Sequence, residues 1–273
     1  MRTSPSFKIA LACTALTLGL TACGSDKGAA KSAAPAPAST PAIASSAAPS
    51  ASASPSPSGP ADLSALSGTQ VLQQATTALK AAKAVKIDMK GTDAGEALAM
   101  SLSLDTQGNC TGNISLGSKG SSDIVRAGQT VWMKPDTKFW TTIGGAHGAQ
   151  AAELFKGRWL TGVTSDSDLK DMADFCDLTQ LTSEMTTGNS SVTKGSSDTL
   201  NGQPTLVLHV TDSSDGSKTD VWVAAQGQPY PLQAISDSGD HMVFSNFGVP
   251  VNVQAPPADN VIDISKLQQL ATA

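Results

Sequence analysis

Residues 85–104, VKIDMKGTDAGEALAMSLSL, decide how this chain folds. Two runs in the stretch alternate with a period of two. Ile87 and Met89 are separated by Lys86, Asp88 and Lys90; Leu98, Met100, Leu102 and Leu104 are separated by Ala99, Ser101 and Ser103. Successive side chains of a strand point to opposite faces, so the pattern describes strands with one apolar and one polar face. The period continues downstream in Ile114 and Leu116 after Cys110, then in Ile124 with Arg126, then in Val131 with Met133. Gln107-Gly108-Asn109, Gly117, Gly120, Ala127-Gly128 and Pro135-Asp136 punctuate these runs with turn residues. An antiparallel meander with short connections is expected.

Upstream, Ser67-Gly68-Thr69-Gln70 has capping-box spacing, and Val71, Leu72, Ala75, Leu79 and Ala82 recur near helical period. Lys80, Lys83 and Lys86 lie near the end of that helix, where cations suit its dipole. Downstream, residues 143–187 read as helical and irregular, with helices expected over 149–155, 166–175 and 178–185. Strands are expected again at 191–197, 205–211, 219–224, 231–236 and 241–247, with a last one at 249–253. Asn201-Gly202, Asp215-Gly216 and Ser238-Gly239-Asp240 mark hairpins between them. A sheet that is apolar on one side needs a cover. The fold class expected is therefore α+β: a large curved antiparallel sheet with helices against its concave side.

The N-terminal part is organised differently. Arg2 and Lys8 precede an apolar run from Ile9 to Leu20, and Leu20-Thr21-Ala22-Cys23 follows with Gly24-Ser25. The run is shorter than the roughly 20 residues a spanning helix needs, and its layout is that of a secretory signal. The small residue before a cysteine resembles the lipobox of bacterial lipoproteins, which implies cleavage before Cys23 and a diacylglyceryl group on its sulfur. Three parts are expected: a signal peptide at 1–22, a lipidated Cys23 with a tether over 23–61, and one domain over 62–273. The tether is almost all Ala, Ser and Pro, a composition that buries too little apolar surface to order itself. Loss of Arg2 and Lys8 would take the formal charge from −5 to −7. An acidic chain argues against nucleic acid and against a polybasic membrane patch, so attachment would rest on lipid at Cys23.

With Cys13 in the signal and Cys23 lipidated, Cys110 and Cys176 remain. In an oxidising compartment a disulfide between them is the natural reading, and two buried free thiols are the alternative. A bridge closing so long a loop contributes about 4 kcal/mol in the chain-entropy model.

Catalytic patterns are sparse. His147, His209 and His241 form no metal-binding pair, with His209 and His241 expected on solvent faces of strands. No nucleophile elbow or phosphate-binding loop occurs. The glutamates Glu96, Glu153 and Glu184 suggest no catalytic pair, and no cofactor or metal is implied. Trp132, Trp140, Trp159 and Trp222 either pack in the ordinary way or edge a groove for acyl chains or sugar rings.

Several segments carry a resemblance when taken in order. They are Val131-Trp132-Met133-Lys134 with Phe139-Trp140, then Gly157-Arg158-Trp159-Leu160, then Phe175-Cys176-Asp177-Leu178. Tyr230-Pro231-Leu232-Gln233 comes next, and Phe244-Ser245-Asn246-Phe247-Gly248-Val249-Pro250-Val251 runs into Ala255-Pro256-Pro257. Together they resemble the actinobacterial lipoproteins of the LppX/LprG kind, which share the fold of the LolA lipoprotein carrier. The resemblance implies a half-barrel of strands closed by helices, with a cavity between them that holds the acyl chains of a lipid or lipoglycan. It implies a non-enzymatic, monomeric protein on the outer face of the cell membrane. The residues best suited to line such a cavity are Met89, Met100, Leu102, Ile114, Leu116, Met133, Trp140, Phe155 and Trp159, since unbranched methionines repack around a guest; ordinary core filling is the alternative for each. The competing reading is an envelope sensor that binds a protein partner on the same scaffold and carries no lipid.

Overall fold

Ser67 and Gln70 form the expected capping box: the Gln70 backbone N–H donates to Ser67 Oγ at 3.3 Å, and the Ser67 N–H donates to Gln70 Oε1 at 2.8 Å. This starts α1 (Gly68–Ala81), which buries Val71, Ala75, Ala78 and Leu79. The computed structural model describes residues 63–265 apart from 94, 166, 188 and 189. The segments read as signal peptide and tether, Cys23 included, lie outside the described residues.

From α1 the chain enters β1 (Ala84–Asp93) and continues through β2 (Glu96–Asp105), β3 (Cys110–Ser115), β4 (Ser121–Ala127) and β5 (Thr130–Pro135). Two short helices follow, α2 (Thr137–Ile143) and α3 (Gly148–Phe155), and then β6 (Trp159–Thr161). Next come α4 (Ser167–Asp174) and α5 (Leu178–Thr187), and then β7 (Ser190–Leu200), β8 (Gln203–Asp212), β9 (Lys218–Ala224), β10 (Pro231–Ser236), β11 (His241–Ser245) and β12 (Val261–Asp263). All twelve strands join one curved, unclosed sheet in the order β12-β6-β5-β4-β3-β2-β1-β11-β10-β9-β8-β7. Two meanders are thus sewn together where β1 pairs antiparallel with β11. Asn201-Gly202 turns β7 into β8 with both residues at positive φ, 52° and 82°, as a two-residue hairpin requires.

Two expectations fail, and each for a physical reason. The 143–187 region is not wholly helical, because β6 interrupts it. At three residues β6 is too short to show a period, and Leu160 holds its place by pairing with Met133 on one side and Ile262 on the other. No strand forms over 249–253. Pro250 has no N–H to give to a ladder, and Val249 is exposed. The last strand is β12 instead, and it runs parallel to β6.

The helices divide the cover between them. Val71 and Ala75 of α1, with Leu63 before it, pack on Leu208, Val221 and Val223. Leu169, Met172, Ala173 and Leu178 of α4 and α5 pack with Leu79 on the inner residues of β1 to β5. A disulfide joins Cys110 at the start of β3 to Cys176 after α4, with Cα atoms 5.5 Å apart and 66 residues between them in sequence. Arg126 braces the same corner: Nη1 donates to the Cys176 carbonyl at 3.2 Å and Nε to the Gly128 carbonyl at 2.8 Å.

The other face of the sheet is polar. Lys86 pairs with Asp88 at 2.7 Å, and Ser101 Oγ donates to Asp88 at 2.6 Å. Lys134 pairs with Asp123 at 2.9 Å, and Asn113 donates to the same carboxylate at 3.0 Å. Partial burial works to raise the Asp123 carboxyl, but Lys134 and Asn113 outweigh it and hold the group below the usual carboxylate range. Asp88 is held low in the same way, Lys86 and Ser101 outweighing burial.

Cys110→Ser and Cys176→Ser should each destabilise the domain by a similar amount, about 3–4 kcal/mol in urea unfolding. Thiol titration of the unfolded, unreduced protein should find neither sulfur reactive. Both depressed carboxyls stabilise the fold above the unfolded-state carboxylate pKa, near 4, and that contribution is lost as pH falls through their folded values. Asp123→Asn should therefore flatten the acid limb of a stability–pH curve. Because the Lys134 pair is substantially exposed, the cost at neutral pH should stay under about 1 kcal/mol.

Candidate functional site

Register converts the alternation of the sequence into rows of side chains across the inner face. Val85, Leu104, Cys110, Arg126 and Val131 stand opposite one another in one row. Phe244, Ile87, Leu102, Gly112, Ile124, Met133, Leu160 and Ile262 form the next. The third runs Leu208, Val221, Ala234, Met242, Met89, Met100 and Ile114. Leu98 and Leu116 follow by the same alternation, at the end of the sheet where the 3-10 turn Gly117–Lys119 and α2 lie.

Along β11, β1 and β2 burial falls from one row to the next. Val85, Leu104 and Cys110 are fully enclosed, as are Ile87, Leu102, Ile124, Met133 and Leu160. In the third row Ile114 is enclosed and Met100 is buried, but Met89 and Met242 are only half-buried, and so are Leu98 and Leu116 beyond them. The end with the disulfide is shut, and the far end is edged by three methionines in register on adjacent strands β11, β1 and β2.

Trp140 and Phe155 reach this far end from α2 and α3. Their rings lie 4.9 Å apart, and Phe139 meets Trp140 edge-on at 5.4 Å. Asp136 starts α2 by accepting from the Phe139 N–H at 2.6 Å, and it also accepts from Ser121, which ties α2 to β4. Gly148 lets α3 cross α2 closely: a Cβ there would lie 2.6 Å from the Trp140 carbonyl oxygen. Trp140 Nε1 is buried with no hydrogen-bond partner.

Eight of the nine candidate lining residues come together. Met100, Leu102, Ile114 and Met133 lie inside one apolar cluster, and Met89, Leu116, Trp140 and Phe155 pack at its margin. Trp159 does not join them. It neighbours the inward Leu160 and so faces the polar side, where Lys134 Nζ sits 4.8 Å from its ring centroid. Alternation places Trp132 and Trp222 on that side too, and Trp222 Nε1 donates to Asp198 at 2.8 Å. Sequence reading passed over Leu98 as a lining residue and counted Met242 only among the methionines suited to such a surface. Met242 acquires its place only through the pairing of β11 with β1, between segments some 150 residues apart.

The cavity expected between sheet and helices is not open in this structure. Leu79, Leu169, Met172 and Leu178 fill the space, because facing apolar surfaces close until their atoms touch. Two clefts among the described residues lie outside that space. One, of about 500 Å³, is lined by Gln70, Gln73, Gln74 and Thr77 of α1 with Gln228 and Pro229. The other, of about 390 Å³, is lined by Asp105, Arg126 and Asp177 beside the disulfide. His209 is exposed as expected, with Nδ1 2.7 Å from Asp220. His241 is only half-exposed, and its Nε2 is buried without a partner. Among the described residues no group of three His, Cys, Asp or Glu side chains is placed to hold a metal, and no helix is long and apolar enough to cross a membrane.

No protein-family model matches the chain, and no curated protein matches it. Solved structures do. The lipoprotein LppX of Mycobacterium tuberculosis aligns at 15% identity over 69% of this chain and 100% of its own, with a TM-score of 0.45. A LolA superfamily protein from Nitrosomonas europaea aligns at 10% identity over 71% of this chain and 97% of its own, with a TM-score of 0.26. The MucA/MucB complex of Pseudomonas aeruginosa aligns at 14% identity over 70% of this chain and 59% of its own, with a TM-score of 0.28.

The burial gradient predicts unequal mutational costs. Met133→Ala should cost about 2–5 kcal/mol, as a truncation in a closed core does. Met89→Ala should cost less than half of that, because solvent already reaches the site. Urea midpoints of the two variants measure the difference.

Proposed function

We propose that this domain holds the acyl chains of a lipid or lipoglycan between its sheet and its helices, and that the chains load through the methionine-edged end. The one-ended burial of the inner face supports this reading most directly. A closed structural core has no need of an end where Met89, Met242, Leu98 and Leu116 are left half-covered. Methionines suit a lining that must serve both with and without a guest, since their unbranched side chains repack at little cost.

The filled interior sets an energetic condition. A guest must displace α2 and α3, or the outer turns of the helical cover, before it gains contact. A two-chain lipid brings some thirty methylenes, each worth about 0.8 kcal/mol relative to water, so roughly 25 kcal/mol favours the bound lipid over the same lipid free in water. The disulfide and Arg126 hold the opposite corner, so opening is confined to the methionine end. This chemistry is storage and handover of an insoluble molecule rather than bond making. The proposed anchor at Cys23, with its Ala/Ser/Pro tether, keeps the domain near the membrane from which such a molecule comes.

Native mass spectrometry of the protein after incubation with membrane lipid extract tests the proposal. Wild-type protein should carry an acyl species. Met242→Lys should abolish that load while lowering the melting temperature only modestly, and Met242→Leu, equally apolar, should keep both the load and the fold. Wild-type protein that takes up no lipid sinks the carrier reading and leaves the protein-binding sensor. Replacing residues 1–23 with a cleavable secretory signal that lacks the cysteine should move the protein from the membrane fraction to the medium.

A further inference from the structure

We infer that Trp140 recognises the polar end of the guest: its indole Nε1–H donates to an acyl carbonyl oxygen, so the site selects lipids with ester- or amide-linked chains over ethers and hydrocarbons. The inference rests on the carrier reading above. Trp140 Nε1 is buried, and no side chain or backbone oxygen accepts from it. A buried N–H without an acceptor forgoes its bond to water, so the fold bears the full desolvation of that group. Indole N–H groups ordinarily find a partner when buried. Among the described residues Arg158 Nε, Thr205 Oγ1 and His241 Nε2 share this condition. Arg158, however, reaches the Asp259 carbonyl through Nη2. Thr205 and His241 precede the inward Leu206 and Met242, so they face the polar side of the sheet. Trp140 differs from these three in that its ring packs on the inner apolar cluster.

The ring is held where it is. Phe139 meets it edge-on, with planes at 87°, and Phe155 lies 4.9 Å away on centroids. Phe139 is itself buried, and its N–H donates to Asp136. The backbone is fixed as well. The Trp140 carbonyl accepts from the Gly144 N–H at 2.9 Å, and a Cβ on Gly148 would lie 2.6 Å from that oxygen. Turning the indole toward an acceptor elsewhere would break the aromatic contacts, so the donor keeps a fixed direction. Trp140 as a whole is half-buried, at the margin of the apolar cluster. A lipid carries its ester or amide carbonyls at the same kind of boundary, between chains that leave water and a headgroup that stays in it. Those carbonyl oxygens are the acceptors nearest the chains. One hydrogen bond of this sort, made away from water, contributes about tenfold in affinity.

Competition between a diacyl phosphatidylglycerol and its dialkyl ether counterpart, equal in chain length and headgroup, tests the inference by native mass spectrometry. Wild-type protein should favour the ester about tenfold. Trp140→Phe keeps an aromatic ring beside Phe139 and Phe155 but has no N–H. It should bind the two lipids alike, near the wild-type level for the ether. The indole resonance that Trp140→Phe removes from the proton–nitrogen correlation spectrum should move downfield when the ester loads and stay in place with the ether. Equal affinity of wild-type protein for the two lipids would overturn the inference, and that measurement decides it even if the variant does not fold. So would an ester preference that survives in Trp140→Phe, or equal weakening of both lipids there, which is the mark of a packing role alone. Wild-type protein that loads neither lipid, from vesicles or from detergent micelles, overturns the carrier reading and this inference with it.

Discussion

Everything in this domain hangs on the register of β1 with its two neighbours. Ile87 faces Leu102 on one side and Phe244 on the other, and Met89 faces Met100 and Met242. A slip of one residue would turn Ile87 and Met89 to solvent and Lys86 and Asp88 into the core. The register is fixed from both faces at once. Inside, apolar rows close over a dry interior; outside, Lys86, Asp88 and Ser101 meet across β1 and β2 and would be separated by any slip. Because β1 is also the strand that unites the two meanders, its register sets the alignment of the whole sheet.

The cover follows from that arrangement. An inner face spread over so many strands is too wide for one helix, and the chain supplies two groups. The amphipathic α1 serves the β7–β10 half, and α4 with α5 serves the other. The disulfide and Arg126 pin the second group at one corner only. The opposite end is bounded by α2 and α3, whose hold on the sheet comes through Asp136, Phe139 and the close approach of Gly120. The two ends of the cover therefore differ: one is stapled by the disulfide, the other is held by packing alone, and the methionines edge the second.

Much of this was legible along the chain. The alternation at 85–104 specified strands and their buried face, the Ser67–Gln70 spacing specified the start of α1, and Asn201-Gly202 specified a hairpin. Each rests on neighbours within a few residues, where backbone sterics and local hydrogen bonds decide. The disulfide was legible for another reason: with Cys13 expected in a signal peptide and Cys23 expected to carry lipid, two sulfurs remained to pair. β6 and β12 were not legible. They are three residues long, parallel to each other and about a hundred residues apart, and nothing local favours them over a loop. The face of Trp159 was not legible either, since it is defined by the pairing of β6 with β5 and β12.

By itself, then, the sequence determined which residues are apolar on one side of a strand, where helices begin and turns fall, and which cysteines can meet. Those properties depend on rotational preferences and on solvation, which act residue by residue. The tertiary structure alone decided that β11 lies beside β1, that three methionines line up across three strands, that Trp132, Trp159 and Trp222 face away from the interior, and that the interior is closed. Long-range strand pairing and packing density are properties of the assembled surfaces, and no stretch of the chain carries them before the surfaces meet.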